Sequence, residues 1–124
     1  VNALVAAQDV IVPMQCEYFA LEGLSALMGT IEQVRAAVNP GLHIFGVLRT
    51  MYDGRNRLSQ EVSQQLEAHF GATLFNTIIP RNVRLAEAPS HGLSVIAYDP
   101  SSSGAQAYIE LAREMLQRIT DKPA

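Results

Sequence analysis

Ile78-Ile79-Pro80-Arg81-Asn82-Val83-Arg84-Leu85-Ala86-Glu87-Ala88-Pro89-Ser90-His91-Gly92 is the stretch around which the chain is organised. An apolar run from Leu74 to Ile79 meets a proline, which cannot donate to a strand ladder, so a strand is expected to stop there. Asn82 is placed to cap a short helical turn that Pro89 and Gly92 close. Arg81 and Arg84 then share one turn. A strand that ends in an Arg-bearing turn is where open α/β sheets bind anionic ligands. The same residues also describe a basic loop that makes solvated ion pairs.

Outward from that stretch, the pattern alternates. Asp9 to Met14 is a β-branched run of the kind that fills a buried parallel strand. Leu21, Leu24, Leu27, Met28, Ile31, Val34 and Val38 recur at helical spacing from about Phe19 to Val38, and Asn39-Pro40-Gly41 stops that helix. Leu42 to Met51 is the second strand, with Gly46 marking a close backbone approach. Ser59 is the expected cap of a helix with Leu58, Val62, Leu66 and Phe70 on one stripe. After the quoted stretch, Ser94 to Tyr98 reads as extended. A last helix over about 104–119 puts Ala105, Tyr108, Ala112, Met115 and Ile119 on one face. Strands separated by helices imply an α/β fold, a parallel sheet with flanking helices in a single domain over 1–124.

Charge narrows the function classes. Nine basic residues face twelve acidic ones, which argues against a generally basic nucleic-acid binder. Between positions 49 and 84, however, five arginines meet Asp53, Glu61 and Glu67, a local balance of +2 against −5 elsewhere. Such a segment is a candidate anion-binding face. The single cysteine, Cys16, excludes an internal disulfide framework and any cysteine-rich zinc site. No apolar run reaches the ~18 residues that span a bilayer. The chain opens on Val1-Asn2 and reads as a fragment or processed product.

The loops after successive strands gather at one sheet edge, here 15–18, 50–57 and 80–92. The first holds Gln15, Cys16, Glu17 and Tyr18. With no histidine near it in sequence, Cys16 reads as a buried structural thiol rather than a nucleophile. His43, His69 and His91 show no metal-ligand spacing. The turn at Pro80 offers main-chain groups to the edge of a heterocyclic base, Met51 can pack on its face, and Arg55 and Arg84 can pair with phosphate oxygens. Equally, these arginines read as solubilising and Met51 as core. The sequence contains neither G-x-x-x-x-G-K-[ST] nor G-x-G-x-x-G.

Four runs carry a family resemblance: V-P-M-Q-C-E-Y-F-A-L-E-G-L (Val12 to Leu24), L-R-T-M-Y-D-G-R-N (Leu48 to Asn56), I-I-P-R-N-V-R-L-A-E-A-P-S-H-G (Ile78 to Gly92) and the run from Tyr98 to Tyr108. Nearly collinear over the whole chain, they resemble the ParA/Soj family of chromosome and plasmid partitioning ATPases. The resemblance implies the C-terminal part of a deviant P-loop NTPase (ParA/MinD-like) fold. It further implies an ATP-dependent homodimer that binds DNA without sequence preference and is stimulated by a ParB-type partner. The family's phosphate-binding loop and Mg²⁺ ligands precede the region covered, so no catalytic residue and no metal ligand is assigned here. ATP or ADP with Mg²⁺ would be bound by the full-length protein and not held firmly by this chain alone. Pro80, Arg81, Asn82 and Val83 match the family's adenine-side turn, with Met51 beside it, and Arg55 and Arg84 match arginines used for DNA. The implied location is cytoplasmic and nucleoid-associated. MinD-type relatives share the fold, but the polar tail from Gln117 to Ala124 does not resemble their membrane-binding helix.

The leading expectation is therefore a partitioning ATPase whose covered part does not hydrolyse ATP alone. Two alternatives stand beside it: a stand-alone interaction or oligomerisation module of the same fold without ATPase activity, and a small DNA-binding domain in its own right.

Overall fold

Strands β1 (Asp9–Gln15), β2 (His43–Tyr52) and β3 (Leu74–Pro80) pair in parallel, in the order β1-β2-β3. This is the architecture in a computed structural model that describes residues 2–16 and 20–121. Helix α1 (Asn2–Ala6) precedes β1, α2 (Ala20–Ala37) joins β1 to β2, and α3 (Arg57–Phe70) joins β2 to β3. After β3 come the short helices α4 (Val83–Glu87) and α5 (Val95–Tyr98), and then the long α6 (Ser103–Asp121). The α/β expectation holds, with strand boundaries shifted by a residue or two.

Successive strand residues point to opposite faces, so two apolar layers form. On one face Val12, Val47 and Leu74 meet Leu24 from α2 and Val62 and Leu66 from α3. On the other, Leu48, Phe75 and Ile79 meet Leu111 of α6. Gly46 is the close approach the sequence suggested, since any side chain there would run into the Phe75 ring. β1 departs from the expected fully buried strand. Ile11, Pro13 and Gln15 on one of its faces are exposed, because α6 covers only the β2–β3 side.

Four local expectations are corrected. Asn56, not Ser59, caps α3, its side chain accepting from Leu58 N and Ser59 N. Ser59 is buried and donates from Oγ to the Cys16 carbonyl at 3.2 Å, while Leu58 is exposed. Ser94 to Tyr98 is not extended: Ser94 Oγ accepts from Ala97 N at 3.2 Å and starts α5. Arg49 does not contribute to a basic surface. It is 4% exposed and donates to Ser63 Oγ, Glu67 Oε1 and the Phe75 carbonyl, leaving its Nε buried without a partner.

The inward face of α6 is the fourth. Tyr108, Ala112 and Ile119 are exposed, and the residues turned inward include Glu114 and Arg118 beside Leu111 and Met115. Glu114 accepts from Asn76 N at 2.7 Å, Thr77 N at 2.8 Å and Thr77 Oγ1 at 2.7 Å. Arg118 donates to the carbonyls of Phe45, Thr73 and Leu74, and its guanidinium lies 4.1 Å from the centre of the Phe75 ring. The backbone of β3 needs partners that no fourth strand supplies among the described residues, and a carboxylate and a guanidinium supply them. Periodicity alone assigns charged residues outward and carries no sign of the backbone groups that draw Glu114 and Arg118 inward.

Burial raises the Glu114 carboxyl, but its donors from Thr77 and Asn76, with Arg118 beside it, outweigh that and hold it below the ordinary glutamate value. A depressed folded value contributes stability above the ordinary value of about 4.3 and loses it as pH falls through the folded value. Glu114→Gln is therefore expected to cost about 1.5–3 kcal/mol at neutral pH and to flatten the acid limb of a denaturation-against-pH series. An unchanged acid limb would contradict this role.

Candidate functional site

The parallel strands deliver their C-terminal ends to one edge, and β3 stops at Pro80 as its missing N–H requires. There the chain is tied back, Arg81 N donating to the Tyr52 carbonyl at 2.8 Å. Asn82 caps α4, its Oδ1 accepting from Arg84 N at 2.8 Å, and its Nδ2 donates to Ser103 Oγ at the start of α6. Gly92 closes the segment with a left-handed φ of 66°. The cap and closure expected from the sequence are both present.

A cavity of about 570 Å³ opens at this edge. Met51, Pro80, Arg81, Asn82 and Val83, nominated from the sequence, all line it, with Ile79, Leu85 and Ala86 adding apolar wall. Met51 has φ +53°, a left-handed conformation uncommon outside glycine, at a point where the β2–β3 register also slips. Such strain at the rim of a cavity is a recognised mark of a functional site. Three polar side chains not nominated as site residues share the lining: Gln15, its register partner Thr50 on the adjacent strand, and Tyr108 of α6. Gln15 and Thr50 are legible in the sequence as the first residues of the strand-end loops 15–18 and 50–57. Tyr108 is not, because helical spacing puts it on the face expected to be buried.

A second, larger cavity of about 630 Å³ lies on the other side of Pro80, against α6. Its charged lining, Glu110 and Arg113, is paired with itself. It gathers none of the nominated residues except Pro80.

The two nominated arginines stand at the same edge, Arg55 in the loop after β2 and Arg84 in α4 after β3. The Arg55 side chain is 94% exposed, with Nε 3.4 Å from Asp53 Oδ1. Asp53 is held below the usual carboxylate range, chiefly by the Arg55 backbone N–H that it accepts at 3.0 Å. Arg84 is paired with Glu87 at 3.0 Å and Asp99 at 3.3 Å, and Arg57 pairs with Glu61 at 3.2 Å. The locally positive segment is thus partly neutralised by neighbours that are close in space. A hydrogen bond from Tyr98 first, and then the Arg84 guanidinium, keep the Glu87 carboxyl low.

Cys16 is buried, and burial pushes its thiol up against the opposing influence of Arg49. That environment suits a structural thiol. Glu17 and Tyr18 of the first loop lie outside the described residues. Among the described residues, no group of three or more His, Cys, Asp or Glu is arranged to hold a metal ion, and no helix is long and apolar enough to cross a membrane.

Comparison with known proteins gives this geometry a context. A family model described as AAA domain matches residues 1–44. The chromosome partitioning protein ParA of Caulobacter vibrioides is 55% identical over 124 residues, all of this chain and 46% of that protein. The chromosome-partitioning ATPase Soj of Thermus thermophilus is 55% identical over 120 residues, 97% of this chain and 48% of that one. The sporulation initiation inhibitor protein Soj of Bacillus subtilis is 50% identical over 115 residues, 93% of this chain and 46% of that one. The chain therefore spans about half the length of the curated relatives it matches. Among solved structures, cobyrinic acid a,c-diamide synthase from Mycobacterium smegmatis with bound ADP and magnesium superposes with TM-score 0.71 at 32% identity, over 97% of this chain and 42% of that one. The cell division ATPase MinD of Pyrococcus furiosus, 20% identical, superposes with TM-score 0.71 over 94% of this chain and 45% of that one, a likeness of fold alone. With a parallel sheet of ParA/MinD type and half of all residues identical to ParA and Soj proteins along nearly its whole length, the chain belongs to the ParA/Soj family and corresponds to the C-terminal portion of its relatives.

Proposed function

We propose that this chain forms the base-side wall of a nucleotide site, and a DNA-contacting edge, in a chromosome- or plasmid-partitioning ATPase. The observation that carries the reading is the cavity at the C-terminal edge of the sheet, which gathers Met51, Pro80, Arg81, Asn82 and Val83. Its size and largely apolar lining suit a heterocyclic base, and it sits where open α/β sheets bind their ligands. Met51 supplies a polarisable face and the Pro80–Arg81 backbone an edge. Asn82 acts by holding the turn, since both ends of its amide are engaged. The bound ADP and magnesium of the Mycobacterium smegmatis synthase support a nucleotide as the ligand class. Phosphate and Mg²⁺ contacts are assigned to no residue of this chain, whose sequence lacks a P-loop.

On this reading the full-length protein dimerises with ATP, binds DNA through Arg55 and Arg84, and is stimulated by a ParB-type partner. Two phosphate contacts per subunit give weak, salt-sensitive binding that dimerisation multiplies. In the full-length protein, Met51→Ala is expected to weaken Mg²⁺ with a fluorescent ATP analogue about five- to tenfold through lost packing on the base. Unchanged affinity would count against the assignment of the cavity. Arg55→Ala combined with Arg84→Ala is expected to weaken binding to duplexes of any sequence alike and to flatten its salt dependence by about one per lost phosphate contact. A double variant that binds as before would remove both residues from the DNA face.

One observation favours the interaction-module reading: the exposed face of β1, with Ile11 37% exposed on a strand that has a neighbour on one side only among the described residues. If that face is a docking surface for another copy, light scattering of the 124-residue chain gives a dimer or higher species, and Ile11→Lys returns it to a monomer. A monodisperse monomer without the substitution would exclude this reading.

A further inference from the structure

The two arginines on which the DNA reading depends are held differently. Arg55 extends into solvent beside a single loose partner, Asp53. Arg84 is gripped from two sides: Nη1 lies 3.0 Å from Glu87 Oε2, and Nε lies 3.3 Å from Asp99 Oδ2. Both carboxylates are themselves anchored. The Tyr98 hydroxyl donates to Glu87 Oε2 at 2.6 Å, and the Tyr98 ring stacks on His91 with centroids 4.7 Å apart. Ser101 Oγ donates to Asp99 Oδ1 at 3.0 Å.

A guanidinium binds phosphate best through two parallel N–H donors. Here Nη1 already donates to Glu87 Oε2, which half occupies one donor fork, and the Asp99 carboxylate lies 3.3 Å from Nε beside the other. One positive and two negative groups also leave a formal charge of −1 where an incoming phosphate would need attraction. The side chain remains 51% exposed, so these contacts can be exchanged without unfolding the segment.

We propose that Glu87 and Asp99 form an internal clamp that competes with phosphate for Arg84, an autoinhibitory contact that makes this arginine's share of polyanion binding conditional on displacing them. The inference rests on the reading above that Arg55 and Arg84 meet DNA phosphates. Tyr98 sets the strength of the clamp by fixing Glu87, and Arg55 supplies the first, unclamped contact.

The test is a fluorescence-anisotropy titration of the full-length protein with a DNA duplex of arbitrary sequence, across salt from about 50 to 200 mM. Glu87→Gln with Asp99→Asn preserves shape and removes the competing charge. It is expected to tighten binding about two- to tenfold and to steepen the plot of log affinity against log salt by about 0.9 per released arginine. Tyr98→Phe, which keeps the ring on His91, gives a smaller change in the same direction and covers the case in which the paired substitution disturbs folding. In an Arg84→Ala background the carboxylate substitutions no longer steepen the slope, because removing charge adds no phosphate contact.

Unchanged or weaker binding by the Gln/Asn variant, in a protein whose affinity Arg55→Ala reduces, would overturn the clamp and leave the DNA reading standing. A slope that steepens equally without Arg84 would overturn it too. Affinity that neither Arg55→Ala nor Arg84→Ala changes would overturn the DNA reading, and the clamp with it.

Discussion

The anchoring of β3 by the Glu114–Arg118 seam is the constraint on which the candidate site's edge depends. Glu114 satisfies two successive backbone N–H groups of the strand, and Arg118 collects three carbonyls from the start of β3 and from β2. Together they fix α6 against both the edge and the face of the sheet. From that fixed strand the chain must turn at Pro80. The tie from Asn82 to Ser103 then returns the turn to the beginning of the same helix. The cavity wall is thus bolted to α6 at both ends of the helix. Charged groups can do this work inside a protein because each is met by several hydrogen-bond partners, which offsets the cost of taking it out of water.

The site combines order with local strain. Asn82 and Gly92 have side-chain and backbone properties suited to their positions, and the segment between them is held by its own caps. Met51 is the exception, a left-handed methionine where β2 leaves the sheet. Its conformation is maintained because the β1–β2 and β2–β3 pairings on either side leave the chain little choice. Conformational cost concentrated at a cavity rim, within an otherwise regular scaffold, is what pre-organisation of a binding wall requires.

Electrostatics at the edge is less simple than the count of arginines suggested. Among the five between positions 49 and 84, Arg49 serves the interior, Arg84 lies between two carboxylates, and Arg55 and Arg57 extend into solvent beside one carboxylate each. Any polyanion that binds here meets a graded surface rather than a uniform basic patch. Exposed pairs of this kind exchange readily with competing ions, so their arrangement governs salt response and timing more than raw strength.

The resemblance to ParA/Soj proteins nominated the five residues that gather around one cavity, whereas the residues themselves dictate the alternation of strands and helices, the stop at Pro80, the Asn82 cap and the Gly46 approach to a neighbour. Each of these follows from short-range chemistry: a missing N–H, a capping amide, an absent Cβ, or the geometric rule that parallel strands end together. Long-range packing settles that Ser94 starts a helix, that Asn56 takes the cap expected of Ser59, that Arg49 turns inward and that Glu114 and Arg118 lie on the buried side of α6. It also brought Gln15, Thr50 and Tyr108 to the cavity and Glu87 and Asp99 to Arg84. These are partnerships between residues far apart in the chain or free to choose among neighbours. A polar side chain faces inward when unsatisfied backbone or an opposite charge awaits it there, and periodicity carries no record of that demand.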